Sequence, residues 1–134
     1  MVPTTMPTDL PPFASWPDQW ADADTRSVAA ELHAVFAGFL DALAAAGRSR
    51  ETITAHTANL WLLGGESMAF FRASPANRAR GVDWFLSARI AGDEPPIPKQ
   101  LKRKADRNAY LATVRALLRF VRAKRMAANQ TNIL

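Results

Sequence analysis

The 134-residue sequence predicts an all-α fold of four main helices behind an extended, proline-rich N-terminal arm. Three observations carry that prediction. Apolar residues recur at helical spacing through 28–43, and the same spacing returns at 53–63 and 110–121. Glycine, serine and proline punctuate the intervals between them. No alternating strand pattern and no internal repeat is found. A hydrophobic content of 49 % with 22 % charge is ordinary for a globular chain. The length suits one domain with a core of its own. The expected organisation is an acidic arm over 1–24, a helical domain over 25–128 and a frayed tail over 129–134.

The arm holds Pro3, Pro7, Pro11, Pro12 and Pro17 and no helical periodicity, which suits an extended segment. Phe13, Trp16 and Trp20 are too apolar for a purely solvated tail, and docking on the helical body is favoured over a partner-binding peptide. The first helix is expected to start at Asp24 or Thr25, either able to cap free amides. Val28, Leu32, Val35, Phe36, Phe39, Leu40 and Leu43 form its stripe, and Gly47 ends it. Ser49 is the expected cap of the second helix, with Glu51 in its first turn. Ile53, His56, Leu60 and Leu63 share a face there, with Trp61 at its margin. Gly64 and Gly65 are expected to weaken the helix, each by about 1 kcal/mol relative to alanine. Met68, Phe70 and Phe71 follow on a resumed helix or a packed turn. Ser74-Pro75 is a helix-start signal for a short apolar helix through Val82, Trp84, Phe85, Leu86 and Ile90, stopped at Gly92. Residues 93–98, DEPPIP, read as a loop. The last helix is expected from Lys99 or Ala105 to about Ala128.

Charge is distributed unevenly. Residues 1–24 carry −4, residues 25–96 are neutral and residues 97–134 carry +9, for a net +5. On the last helix, Lys104, Arg107, Arg115, Arg119, Arg122 and Arg125 fall within an arc of about 120°. Duplex DNA presents dense phosphates, and arginine and lysine gain affinity by releasing its counterions. Arginine also grips phosphate in bidentate fashion. A polyanionic partner is therefore expected at the C-terminal side. The competing reading, basic side chains solvating a terminal helix, carries nearly equal weight on this feature alone. An acidic arm folded over the basic helix is a further expectation.

Enzymatic readings find little support. His33 and His56 sit on different helices, and His56 lies within an apolar arc where a packing role is favoured over a ligand or base. Ser49 serves better as a cap than as a nucleophile, and Tyr110 has no base cluster around it. No zinc-binding His-Glu-x-x-His, phosphate-binding glycine loop or nucleophile elbow is present. No catalytic residue, metal ligand or cofactor site is assigned. The absence of cysteine excludes disulfides and thiolate metal sites. No apolar run reaches about 18 residues and the first residues lack a signal-peptide pattern, so a cytoplasmic location without membrane partners is expected. A membrane-surface role for the last helix is disfavoured, because its apolar side is needed to cover the first helix.

The pattern Phe36, Phe39, Leu40, Leu43, Gly47, Ser49, Thr52, Ile53, His56, Leu60 and Leu63 resembles the core-binding (SAM-like, integrase-like) domain of tyrosine recombinases and phage integrases. The run Leu111, Val114, Arg115, Leu117, Leu118, Arg119 and Phe120 is similar to that family's final helix. His56 stands where the family usually has tyrosine, and the LWLLGGE segment departs from its pattern. The resemblance implies a compact helical bundle that clamps duplex DNA, standing alone without a catalytic domain, in a setting of DNA recombination. The expected DNA-contacting residues are Arg48, Arg50, Lys102, Arg103, Lys104, Arg107, Arg115, Arg119, Arg122 and Arg125. The alternative is a protein-interaction or homo-oligomerising helical module accessory to a recombinase, drawing on Trp16, Trp20, Trp61 and the acidic arm.

Overall fold

A computed structural model describes residues 10–91 and 97–132. Among these the fold is all-α, as expected. It comprises α1 (Trp16–Trp20), α2 (Arg26–Ala45), α3 (Arg50–Ala73), α4 (Pro75–Trp84) and α5 (Lys104–Asn132). A 3₁₀ turn, Phe13–Ser15, precedes α1, and a π-helical turn, Phe85–Ile90, continues α4.

Local signals set most of the boundaries. Gly47 takes φ 77°, and the amides of Gly47 and Arg48 bond back to the carbonyls of Ala44 and Leu43, closing α2 as a Schellman motif. Ser49 Oγ accepts from the Thr52 amide and starts α3. Ser74 Oγ accepts from the Asn77 amide and starts α4, with Pro75 in its first turn. Asp22 and Thr25 exchange bonds ahead of α2: the Asp22 carboxylate accepts from the Thr25 amide, and Thr25 Oγ1 accepts from the Asp22 amide. The Thr25 hydroxyl also bonds the Asp22 carboxylate, and it leads the contacts that lower the Asp22 pKa.

Three expectations change. The segment expected to be extended winds into the 3₁₀ turn and α1 from Phe13 to Trp20, because Trp16 and Trp20, four residues apart, must reach the same core. Residues 1–9 lie outside the described residues. The Gly64–Gly65 pair leaves α3 unbroken, for reasons of packing given below. At the other end α5 continues to Asn132 instead of fraying at 129. The expected stop at Gly92 and residues 93–96 of the expected loop lie outside the described residues. Helix α5 starts at Lys104, close to the later of its two expected starts, after a turn anchored by buried Leu101.

Helices α2 and α3 form the hairpin at the centre, and α1 packs against both. Helix α5 runs back along α3, since His56 and Asn59 both bond Thr113 and Asn59 also reaches the Ala109 carbonyl. Trp16, Leu32, Phe36, Leu60, Leu63, Met68, Phe71, Phe85, Tyr110 and Leu117 are all buried in one cluster. Each such side chain contributes roughly 1.5–3 kcal/mol. By length and composition α2, 20 residues with a mean hydropathy of 1.5, would suffice to cross a membrane. Its stripe Val28, Leu32, Phe36 and Phe39 is instead buried in this core.

Trp20 explains Gly64. A Cβ on Gly64 would lie 2.0 Å from Trp20 Cζ2, whereas one on Gly65 would meet nothing within 4 Å. Gly64 is a flat seat for an indole, and its cost to α3 is offset by the packing it permits.

Candidate nucleic-acid interface

The sequence places six basic residues in one arc of α5, and the structure divides them. Arg115, Arg119 and Arg122 are exposed. Among the described residues, no carboxylate lies within ion-pair distance of them and no side-chain bond ties them. At about 100° per residue they fall, with exposed Lys104, in an arc of roughly 60° on the side of α5 away from its buried Tyr110, Val114 and Leu117. These four form an unobstructed cationic row.

Arg107 and Arg125 belong to the same arc by spacing but are held in internal contacts. The half-buried Arg107 donates to the carbonyls of Leu101 and Lys102 and fastens the turn that precedes α5. Arg125 donates to the carboxylate of Asp83 and to Ser87 Oγ, the latter at 3.2 Å, and fastens α5 to α4 and its π turn. The Asp83 hydrogen bond and charge raise the Arg125 pKa above its ordinary value. These two arginines, expected at the interface, act as clasps.

Lys102 and Arg103 are exposed just ahead of α5. There the helix N-terminus adds its own positive potential, tempered by Asp106 in the first turn. Arg48 and Arg50 are exposed where α3 opens. Helix α3 packs on the Thr113 side of α5, and the arginine row lies roughly 120–180° around the helix from Thr113. The structure therefore does not gather Arg48 and Arg50 with the row.

The remaining candidates are occupied in packing. His56 Nδ1 lies 2.7 Å from Thr113 Oγ1, and its ring meets the Phe39 ring edge-on. Burial holds its pKa below the ordinary value, and the Arg48 charge adds to the effect. His33 Nε2 meets the Phe13 carbonyl at 2.8 Å, and its ring stacks on the Phe13 ring. Tyr110 is buried, which pushes its phenol pKa up, with the Glu66 charge adding to the shift. No three metal-ligating side chains come together among the described residues. A cavity of about 570 Å³ opens between α2 and the end of α5 over Ala34, Val35, Phe120 and Val121, with Asp83 and Arg125 bonded to each other at its rim.

Two acidic groups near the N-terminus are engaged locally. Asp18 pairs with Arg26 at 2.6 Å, and Asp22 is held by Thr25. Neither reaches α5. Two exposed arginines that the charge pattern does not single out, Arg80 and Arg89, stand over aromatic rings.

No family model, curated protein or solved structure matches this chain.

Proposed function

We propose that this protein is a non-catalytic DNA-binding module of integrase-like type, which contacts duplex phosphates through the outer face of α5. The observation that carries the reading is the contrast within one arc of arginines. Arg107 and Arg125 are tied to protein groups, while Arg115, Arg119 and Arg122 keep their guanidinium donors available and, with Lys104, line about five helical turns. Guanidinium groups spaced along a rigid helix suit a row of phosphates, because the helix fixes the spacing of the side chains that carry them before binding. The hairpin resemblance supports a setting in recombination or mobile elements, and the cytoplasm is the location this reading implies. The interaction-module alternative loses its main support. Trp16 and Trp20 are core residues, and Trp61 packs half-buried against both.

The test is a mobility-shift titration on a 30-base-pair duplex at several salt concentrations. Each phosphate contact contributes about 0.9 to the slope of log affinity against log salt. Replacing Arg115, Arg119 and Arg122 together by glutamine should lower that slope by roughly 2.7. Stability should move by no more than about 0.5 kcal/mol, because the three exposed side chains make no internal hydrogen bond or ion pair among the described residues. No shift at low salt, or a triple variant that binds like the parent, would sink the proposal.

A further inference from the structure

A second set of cations stands on the outer face of α3 and α4. Phe70 on α3 and Trp84 at the end of α4 lie nearly parallel, with centroids 6.1 Å apart and an interplanar angle of 24°. The Arg80 guanidinium sits 4.3 Å from the Trp84 centroid, and that of Arg89 sits 5.2 Å from the Phe70 centroid. The result is one cluster of two paired rings with a cation over each.

The backbone is shaped to build it. Gly81 takes φ 82° between Arg80 and the rest of α4, a conformation that side chains with a Cβ rarely adopt. The following turn is π-helical, with Trp84 as its cap. In an α-helix Trp84 and Arg89 would point roughly 140° apart, whereas the i→i+5 register of a π turn brings such a pair to nearly the same side. Without that turn Arg89 would face away from Phe70.

A guanidinium held over a ring by charge need not give its N–H groups to a protein carbonyl or carboxylate. The neighbouring arginines show the contrast. Arg72 donates to the Trp20 carbonyl at 2.8 Å, and Arg78 donates to the Phe71 carbonyl at 3.3 Å. Arg80 and Arg89 are exposed, and no hydrogen bond or ion pair among the described residues occupies their donors. Two forks held in place by stacking are prepared for oxyanions that accept two bonds at once.

We infer that Arg80 and Arg89, set on Trp84 and Phe70, form a second phosphate-binding site for a nucleic-acid strand, separate from the α5 row. The ligand class rests on the proposed DNA-binding role, and the phosphates could come from a duplex or from a single strand.

The experiment measures full-chain binding to a 30-base-pair duplex and to a 30-nucleotide single strand across salt concentrations. The variants are Arg80→Gln/Arg89→Gln, Arg80→Lys/Arg89→Lys and the α5 triple variant. The glutamine pair should lower the salt slope by roughly 1.8 on the duplex or 1.4 on the single strand. A loss confined to one probe assigns the phosphate source. The lysine pair keeps the charge and removes the fork, so it should retain the slope and lose affinity several-fold. If the glutamine pair does not fold, the lysine pair decides, and parental affinity overturns the site. A folded glutamine pair that binds both probes like the parent also overturns it, leaving only a packing clasp. Poly-glutamate competing as well as an oligonucleotide of equal charge overturns the nucleic-acid assignment. A silent α5 triple variant beside an affected Arg80/Arg89 pair overturns the α5 reading alone, and the reverse pattern overturns this inference alone.

Discussion

The aromatic clasp at the N-terminus and the outer face of α5 both drew attention as binding features, and they use their chemistry in opposite ways. In the clasp, Trp16, Trp20 and Trp61 pack with centroids 5.2–5.8 Å apart. Their surroundings turn polar groups inward: Trp16 Nε1 donates to the Pro11 carbonyl at 3.0 Å, and Arg72 donates to that of Trp20. On α5, Arg115, Arg119 and Arg122 face outward with their donors available. Polar reach and large surface are common to both regions. What separates them is whether another part of the chain arrives to take up that capacity. Arg125 makes the point within α5, because Asp83 reaches it and no described acid reaches Arg122.

The sharpest way to break the clasp is Trp16→Ala. Trp16 is fully buried, and its loss should destabilise the protein by about 3–5 kcal/mol, read as a fall in denaturation midpoint. The α5 face should show no comparable sensitivity, as the arginine triple variant measures.

The glycine pair gives a smaller, signed test. Gly64→Ala drives a methyl group into Trp20 and should destabilise by about 1–3 kcal/mol. Gly65→Ala meets open space in the same helix and should stabilise by up to about 1 kcal/mol. Equal effects from both in chemical denaturation would show that Trp20 does not sit on Gly64.

The smallest expected effect separates the buried contacts from the exposed charges by pH. The His56 pKa is lowered in the fold, so between its folded value and the ordinary 6.5 the unfolded chain binds more protons. Stability contributed by neutral His56 is therefore complete above about pH 6.5 and is lost as pH falls through that value toward the folded pKa. Thermal denaturation from pH 5 to 8 should show this slope, and His56→Gln should flatten it. A slope unchanged by that substitution would mean the α3–α5 contact at Thr113 does not depend on the imidazole.

Much of the fold was legible because its signals are local. Ser49, Ser74 and Gly47 act within a few residues, and the stripes of α2 and α5 follow from helical spacing. The docking of Phe13, Trp16 and Trp20 on the body is legible in their apolar character, but five prolines mask the four-residue spacing of Trp16 and Trp20 that marks one helical face. The candidate site was legible only as an arc of charge. The sequence could not sort Arg125 from Arg122, because the sorting residue, Asp83, is 42 positions away. Nor could it connect Arg89 with Phe70, because an α-helical reading misplaces residues on a π turn.

The sequence by itself determined the α2–α3 hairpin, the Ser49 and Ser74 caps and the basic balance of the C-terminal third, since these depend on neighbouring residues and on composition. Thr25, expected to cap α2, makes no side-chain capping bond. Only the tertiary structure decided which arginines remain open to a partner and why Gly64 is a glycine. Those outcomes depend on groups far apart in sequence, such as Arg72 and Trp20, 52 positions apart, that meet only when the core closes.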